Sequence, residues 1–551
     1  MRWQHPGLAR VAHFREERLP AADARRVAED ATIGRFQFLG QTREMGREVD
    51  WFRPELDTGT RLWKTHLHEF AYAEALARSA RDENDRRYRD RFFELARSWR
   101  TAAPIGCRDF AKDAWNGRAT ANRLIHWAVA GSLLELESDD PDAHWLGTQL
   151  AVAGLFLRDN LELDLLGNHL FRDAVGLVFA HELTGVVPDA LGWLEAQVRE
   201  QVLPDGAHIE RAPMYHAMCL SDLVEVRLLL GERAPGWLHE AELRMAGFLE
   251  SIVLGDGDVP LLGDGWRGET DCDAILGAVR EAGEPLAPTN PEQHSGIVAL
   301  RRGDLRLVAR VGAHGPDYLL GHAHADLLSF DLSAGTLRVI TDTGTHVYDP
   351  GPDRDALRAT RSHNTLQIDG AEQLEAWGSF RVGRRSHARC HARSETGNFR
   401  WISASHEGFS FLPGQPIHHR LLALAQGQLL VLDCVLGAGS HRIESFLNLH
   451  PDGDDRRMSL HALGGSARET EATLHEHFGE SRPMRRLSVS AEGPLPWCGG
   501  WWIERDPEPG GELPVPRYRE GRVSLVLPQP WGNLSWRPGE SNPATALRID
   551  L

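Results

Sequence analysis

The sequence predicts an α/α toroid of helical hairpins followed by an antiparallel β-sandwich. Residues 1–290 contain apolar segments with helical periodicity separated by short polar breaks, whereas residues 291–551 alternate apolar and polar residues in short runs. A chain of 551 residues also exceeds what one hydrophobic core usually supports, so two domains are expected.

The helical prediction is clearest in the segment HLFRDAVGLVFAHELTG. Its apolar residues recur at i, i+4, i+7 and i+8, which places them on one helical face: Phe171, Val175, Val178 and Phe179. Similar segments such as RYRDRFFELARSWRTAA and ATANRLIHWAVAGSLLEL lie upstream, with no fixed-length repeat. Gly176 lowers helix propensity but permits close helix approach. Successive hairpins of this kind favour stacked or circularly arranged pairs, as in a toroid.

The domain boundary is predicted in the segment EAGEPLAPTNPEQHSG. A helix through Pro285, Pro288 and Pro291 is very unfavourable. Strand-like segments follow, including LLSFDLSAGTLRVITDTG, HRLLALAQGQLLVLDCVLG and RVSLVLPQPWGNLSWR. Polar and apolar residues alternate within LLSFDLSAG, which predicts one packed face and one hydrated face. Many antiparallel strands without intervening helices indicate a β-sandwich.

Composition excludes several classes of protein. With 42% apolar and 25% charged residues the chain is ordinary globular protein, and its formal charge of -18 argues against a general nucleic-acid or membrane-surface binder. The six cysteines are scattered without a CxxC pair, so they are interpreted as small apolar residues. No export signal or membrane-spanning run is visible. A cytoplasmic location is expected for the sequence as written, and a periplasmic or secreted one if a signal was removed.

Histidine and aspartate residues form the most informative pattern. His322 and His324 flank an alanine, and Asp342 and His363 follow in strand-like surroundings. Imidazoles and carboxylates are ligands preferred by borderline metals such as zinc. Because these residues lack helical spacing, we expect a single site gathered from several strands.

Asn168 and His169 stand at the predicted start of a helix. Asn168 can be explained as an N-cap residue. The functional alternative is that both side chains present polar groups to a cavity at the rim of the helical domain.

Tyr215 and His216 follow a proline in the segment DGAHIERAPMYHAMC. A buried tyrosine with a hydrogen-bonded hydroxyl is the structural explanation. As a catalyst, its phenol could remove or return a proton if neighbouring cations stabilise the phenolate.

Two further groups have both structural and functional interpretations. Asp264, between two glycines, is typical of a turn, and a general acid is the alternative. The basic residues near the histidine pattern could form a solvated surface, or could bind carboxylate and sulfate groups: Arg354, Arg358, Arg361, Arg381, Arg384 and Arg385.

These motifs together resemble the heparinase II/III family of polysaccharide lyases. The resemblance is carried by GHAHADLLSFDL, then TDTGTHVYDP, then RATRSHNTLQIDG, with weaker support from LWKTHLHEF, NRLIHW, GNHLF, DGAHIERAPMYH and DVPLLGDG in the expected order. It therefore covers most of the chain, and it implies a toroid followed by an antiparallel sandwich.

The resemblance implies roles for individual residues. It implies that His324, Asp342 and His363 bind a metal, usually zinc and here structural in role, although another divalent ion would fit. It further implies that Tyr215 and His322 are catalytic, and that Asn168 and His169 contact the substrate carboxylate at a site between the domains. The substrate-binding residues are predicted to be Arg211, His216, Arg358 and Arg361.

The implied reaction is β-elimination on a uronic acid, leaving a 4,5-unsaturated uronate at the new end. The predicted partner is an anionic uronate-containing polysaccharide or oligosaccharide, with glycosaminoglycans such as heparan sulfate, hyaluronan or chondroitin favoured over alginate. No nucleic-acid or membrane partner is expected, and the oligomeric state is left open.

Two alternatives belong to other classes. A toroid-type glycoside hydrolase would need two carboxylates flanking the bond, with Glu210, Asp258 and Asp264 as candidates. A non-catalytic polysaccharide-binding or assembly protein would retain the fold without needing Tyr215.

Overall fold

The computed structural model describes the chain except residues 1, 2, 4, 54, 55, 57–60, 108, 109, 284, 285, 287–293, 395–397, 454–457, 507–513, 529, 530 and 551. The chain forms two compact units that interleave along the sequence. The first comprises Met1–Val202, Ala217–Ala246 and Asp273–Ala287, and the second comprises Leu203–His216, Gly247–Cys272 and Pro288–Leu551. Each contains its own set of packed elements.

The predicted boundary at residue 290 lies outside the described residues, as do Pro285, Pro288 and Pro291. The last helix before it ends at Arg280 and the first strand after it begins at Ile297. The boundary itself stays a prediction.

Twelve helices precede residue 281 in the described part of the chain: α1 (Pro6–Arg18), α2 (Ala21–Ile33), α3 (Arg61–Glu69), α4 (Tyr72–Asp82), α5 (Arg86–Ala102), α6 (Gly117–Leu133), α7 (Pro141–Asp159), α8 (Gly167–Thr184), α9 (Ala190–Gln201), α10 (Pro213–Leu230), α11 (Gly236–Ile252) and α12 (Cys272–Arg280). None of the described helices is long and apolar enough to cross a membrane. Two short helices occur later, α13 (Pro352–Arg358) and α14 (Pro543–Ala546).

The helices of the first unit pack as successive hairpins. Helix α4 packs against α2 and α6, and α6 packs against α8. Helix α5 packs against α4, α7 packs against α6 and α8, and α9 packs against α8. A side chain at Gly176 of α8 would place its Cβ 2.8 Å from Ala121 of α6, so glycine permits this close approach. The predicted helical-hairpin region is therefore confirmed.

The strands fall into three large sheets and two hairpins: β1 (Arg35–Phe38), β2 (Gln41–Glu44), β3 (Ile297–Arg302), β4 (Leu305–Arg310), β5 (Phe330–Ala334), β6 (Leu337–Ile340), β7 (Leu366–Ile368), β8 (Ala376–Trp377), β9 (Arg381–Val382), β10 (Ala388–Ser394), β11 (Arg400–His406), β12 (Ile417–Ala425), β13 (Gln428–Leu436), β14 (Ser440–Leu449), β15 (Met458–Leu463), β16 (Ser466–Leu474), β17 (Arg482–Pro494), β18 (Trp497–Arg505), β19 (Arg517–Arg519), β20 (Arg522–Leu527), β21 (Gly532–Trp536) and β22 (Leu547–Asp550).

The large sheets lie in the second unit. Their strand orders are β16-β17-β14-β6-β5-β4-β3 with β7 added beside β14, then β10-β11-β12-β13-β18-β15, and then β19-β20-β21-β22. The strand pairs described within these sheets are antiparallel, which confirms the predicted sheet type.

The middle, six-stranded sheet is covered on both faces, so the second unit has three layers rather than the two of a simple sandwich. On β12, Leu422 and Leu424 join the core shared with the eight-stranded sheet. Leu421 and Ala423 of the same strand join the core shared with β20 and β21 of the four-stranded sheet. Burial on both faces explains the unbroken apolar runs Leu421–Ala425 in β12 and Leu429–Leu432 in β13.

Four of the six cysteines are in the second unit. Cys434 on β13 and Cys498 on β18 are opposite each other in the sheet, with their Sγ atoms 3.0 Å apart. The scattered cysteines of the sequence therefore include one cross-strand pair.

Candidate active site

A buried aspartate, Asp264, organises a polar cluster in the second unit. His322 donates through Nδ1 to Oδ2 of Asp264 at 2.9 Å, and His324 donates through Nε2 to Oδ1 at 2.9 Å. Arg354 binds both carboxylate oxygens, with Nη2 at 2.9 Å from Oδ2. Burial opposes ionisation, but Arg354 and the two imidazoles hold the pKa of Asp264 well below its usual value. Asp264 is therefore an anion that orients two histidines.

The HAHAD motif folds around the loop that carries Asp264. Besides the two histidine contacts, Asp326 accepts hydrogen bonds from the Gly263 N–H at 3.0 Å and from Arg310 Nε at 2.9 Å. Gly263 has φ +68°, and an added Cβ would lie 2.8 Å from the carbonyl oxygen of His322. The glycine is needed for both reasons, and the motif fixes the loop at three points.

Tyr215 and His322 are in direct contact. Tyr215 lies in the first turn of α10, and its ring stacks on the imidazole with centroids 3.9 Å apart and planes 25° apart. Because Asp264 accepts from Nδ1, Nε2 is the nitrogen of the His322 ring that can accept a proton. A phenol and an oriented imidazole therefore share one site.

A second tyrosine, Tyr348, completes the pair of phenols. Its hydroxyl lies 2.7 Å from the hydroxyl of Tyr215, and its ring lies 5.0 Å from the guanidinium carbon of Arg354. Burial, with Asp264 and Tyr215 nearby, raises the pKa of Tyr348 well above 10. Tyr348 therefore stays protonated and can donate to the Tyr215 oxygen.

Glu210 lies on the other side of His322. Its Oε2 is 3.8 Å from His322 Nε2 and 3.7 Å from His208 Nδ1. Burial lowers the pKa of His208, with His322 adding to the effect and Glu210 opposing it. The imidazole of His322 is thus placed between two carboxylates, Asp264 and Glu210.

The predicted metal ligands lie close together, but Asp342 is bonded to a histidine. His363 Nδ1 is 2.7 Å from Asp342 Oδ2, and the His324 and His363 ring centroids are 5.4 Å apart. His324 Nδ1 and His363 Nε2 are buried and have no hydrogen-bond partner among the residues that the structure describes. Among the described residues no group of three His, Cys, Asp or Glu side chains is arranged around a metal position.

The protonation of these two histidines differs. Burial lowers the pKa of His324 to about 3, against the opposing effect of Asp264. Burial also disfavours the charged form of His363, but Asp342 and Asp326 outweigh it and raise its pKa. In each ring the nitrogen facing a carboxylate is occupied and the other is available, which is how metal-binding histidines are commonly oriented.

Asn168 and His169 lie in the first unit, in the first turn of α8. The N-cap of this helix is Leu166, so the capping interpretation of Asn168 is wrong. Asn168 Oδ1 accepts from Arg118 Nη1 at 3.0 Å, and His169 Nδ1 lies 3.0 Å from Glu162 Oε2. The predicted grouping of these residues with Tyr215 and His322 stays a prediction.

Two of the predicted substrate-binding residues, Arg358 and His216, are buried and make internal hydrogen bonds. Arg358 is buried and donates to the carbonyl oxygens of Ala323, Gly378 and Ser379. His216 is also buried, with Nδ1 accepting from the His208 N–H at 3.2 Å. The predicted role of Arg358 and His216 in substrate binding stays a prediction.

Arg211 and Arg361 remain candidates. Arg211 is half-buried with φ +54°, and its Nε has no hydrogen-bond partner among the described residues. Burial and Arg310 lower its pKa. Arg361 is exposed. The guanidinium fork of Arg211 suits a carboxylate or sulfate group.

The sequence interpretation missed two members of the cluster. Asp264 was assigned to a turn, and Tyr348 was not singled out although it ends the DxGTxxY motif. For Tyr348, the scarcity of tyrosine, with six in the chain, was an available signal. Asp264 gave no comparable signal, because its partners are 58 to 90 residues away.

The helical-hairpin unit and the antiparallel unit together have the fold of known glycosaminoglycan-lyase structures. The crystal structure of heparinase III aligns with a TM-score of 0.73 at 15% identity, covering 97% of this chain and 98% of that one. A mutant heparan sulfate lyase from Pedobacter heparinus aligns with a TM-score of 0.62 at 18% identity, covering 94% and 90%.

Family models match both halves of the sequence. The heparinase II/III N-terminus model matches residues 9–277, and the heparinase II/III-like C-terminal model matches residues 284–498. The heparin-sulfate lyase of Pedobacter heparinus is 23% identical over 402 residues, a match spanning 64% of this chain and 58% of that protein. The chain belongs to the heparinase II/III family, as the sequence motifs predicted.

Proposed function

We propose that the protein is a polysaccharide lyase that cleaves uronic-acid-containing glycosaminoglycans by β-elimination. The observation that carries the proposal is the contact of the Tyr215 phenol with the oriented His322 imidazole and the Tyr348 hydroxyl. These are the proton-transfer groups that an elimination requires. Family membership and the names of the similar proteins support this class of reaction.

The proposed chemistry begins at the acidic C5 hydrogen of the uronate. Tyr215 or His322 Nε2 removes this proton, depending on the face that the C5 configuration exposes. Electrons move into the C4–C5 bond, the glycosidic C4–O bond breaks, and Tyr215 returns a proton to the departing oxygen. Tyr348 donates to the Tyr215 oxygen and stabilises it whenever it is ionised.

Elimination also requires the uronate carboxylate to be neutralised, because the developing enediolate is anionic. Asn168 and His169 are the candidates for this task. The Asn168 oxygen is bonded to Arg118, so its amide NH2 is the group that would donate to a carboxylate. Glu162 orients His169 in the same way that Asp264 orients His322.

The carboxylates of the site favour elimination over glycoside hydrolysis. A hydrolase needs a protonated acid, but Arg354 and the imidazoles lower the pKa of Asp264. The His322 ring also lies between Asp264 and Glu210, where a hydrolase would hold the scissile bond. Asp258, the third candidate, is engaged with Arg267 at 3.3 Å.

We expect the wild-type protein to generate the unsaturated uronate chromophore from at least one polymer among heparan sulfate, hyaluronan, chondroitin sulfate and alginate. Ultraviolet absorbance of the product and its mass after reaction in 18O-water are the measurements. An elimination incorporates no solvent oxygen, whereas a hydrolase would give oxygen-labelled saturated ends. Cleavage with label and without chromophore would reject the lyase assignment.

We also propose a structural zinc ion bound by His324 and His363. The support is a pair of buried nitrogens in neighbouring rings, His324 Nδ1 and His363 Nε2, which have no hydrogen-bond partner in the described part of the chain. Asp342 orients the His363 ring through Oδ2, and its other carboxylate oxygen makes it the remaining candidate ligand of the predicted set. Another divalent ion with affinity for imidazole would fit the same donors.

Removing the metal is expected to lower the melting temperature by several degrees, because an ion bound only by the folded state stabilises it. Elemental analysis of purified protein should find zinc in the wild type, and His324→Ala and His363→Ala should lose it. His419→Ala is the matched control, since His419 is also buried with a partnerless nitrogen, but on β12. Metal content unchanged by His363→Ala would disprove the site.

A further inference from the structure

The β8–β9 hairpin exposes two large aromatic side chains at one turn. Trp377 is 54% exposed and Phe380 is 46% exposed, with Gly378 and Ser379 between them. Aromatic side chains of this size usually bury most of their surface, so a pair exposed at one turn marks a binding surface.

Two buried arginines hold this turn in place. Arg354 Nε donates to the Ser379 carbonyl oxygen at 3.0 Å, and Arg358 Nη1 donates to Gly378 and Ser379 at 3.2 and 3.3 Å. Both guanidinium groups are buried, so these charge-assisted bonds are shielded from water. The aromatic side chains are therefore presented from a fixed turn, which reduces the entropy lost on binding.

The hairpin is continuous with the candidate active site. The Phe380 ring centroid lies 5.2 Å from that of Tyr348, whose hydroxyl is 2.7 Å from Tyr215. The Arg354 guanidinium lies 5.6 Å from the Phe380 ring and also binds Asp264. A ligand on the exposed hairpin would thus lie next to the proton-transfer groups.

The hairpin also carries a cationic group. The exposed guanidinium of Arg381 lies 5.3 Å from the Trp377 ring. Arg385 is different, because it is paired with Asp317 at 2.7 Å. Trp377 and Arg381 together therefore offer an apolar ring face beside a positive charge.

We propose that the β8–β9 hairpin is a saccharide subsite that binds an anionic sugar residue adjoining the one that is cleaved. The apolar C–H face of the pyranose stacks on Trp377, and a sulfate or carboxylate on the same residue pairs with Arg381. The inference rests on the proposed function for the identity of the saccharide, and it adds the residues that bind the chain beyond the reacting uronate.

The test compares Trp377→Ala with Trp193→Ala, which removes another exposed tryptophan, on α9 of the first unit. Steady-state kinetics with the cleaved polymer should show KM raised about ten-fold by Trp377→Ala, with a smaller change in kcat, since the lost contact is made equally before and during the reaction. Trp377→Phe should restore most of the affinity. Trp193→Ala should match the wild type.

Arg381→Ala should raise KM at low salt and reduce the dependence of KM on salt concentration, because a charge contact is screened by ions. Arg389→Ala, at an exposed arginine on β10, is the matched control. Calorimetric titration of the same variants with uronate oligosaccharides measures binding without turnover.

Equal KM and equal oligosaccharide affinity for Trp377→Ala and Trp193→Ala would overturn the subsite. A loss confined to kcat would overturn it too, since the hairpin would then act only through Tyr348. Failure of the proposed function would look different from failure of the subsite, because the wild type would then yield no unsaturated product. Calorimetry would still decide whether Trp377 binds saccharide.

Discussion

Replacing Tyr215 by phenylalanine is expected to lower kcat on the cleaved polymer by about 10²–10⁴-fold, the range typical of losing a proton-transfer group. The phenol is the group in contact with both His322 and Tyr348, and phenylalanine keeps the ring stacking while removing the hydroxyl. Initial rates of unsaturated product formation measure the effect. The melting temperature should change little, because the ring remains in place.

Tyr348→Phe should have a smaller effect on kcat, about ten-fold, because it removes a hydrogen bond to the Tyr215 oxygen rather than the proton carrier. Tyr518→Phe on β19 is the control and should be fully active. A Tyr215→Phe variant that retains wild-type turnover would exclude Tyr215 as the acid or base. If neither the wild type nor any variant cleaved a polymer, and Tyr215→Phe still kept the biological activity of the protein, a non-catalytic binding protein would be favoured instead.

The fold was largely predictable because its signals are local. Helical periodicity in the first unit and apolar runs in the second depend on neighbouring residues, and the structure confirms both. The third layer was not predicted. The unbroken apolar run Leu421–Ala425 in β12 indicates burial on both faces, but the covering strands β20 and β21 lie about a hundred residues downstream.

The candidate site was only partly predictable because its contacts are distant in sequence. The residues of the HAHAD and TDTG motifs could be named from their pattern, and the structure brings His322 and Tyr215 together. Asp264 looked like a turn residue because aspartate between glycines is locally typical of turns. Arg358 looked like a surface cation, and only its distant partners show that it is buried beneath the β8–β9 turn.

Asp264→Asn is expected to destabilise the second unit by about 3–5 kcal/mol, the range for breaking one partner of a buried ion pair. Asparagine keeps the shape of the side chain but leaves the buried Arg354 cation without its counter-ion. Chemical denaturation monitored by tryptophan fluorescence measures the loss. Asp317→Asn is the matched control, because Asp317 is also paired with an arginine but is 58% exposed, so its loss should be under about 1 kcal/mol.

The same substitution should also reduce catalysis in the molecules that remain folded. An asparagine in place of Asp264 no longer fixes the proton on His322 Nδ1, so the ring can turn its accepting nitrogen away from the substrate. Activity per folded molecule, corrected by the folded fraction at the assay temperature, should fall by about 10²-fold or more. If Asp264→Asn kept the wild-type activity per folded molecule, Asp264 would only support the fold, and His322 would not need this carboxylate for catalysis.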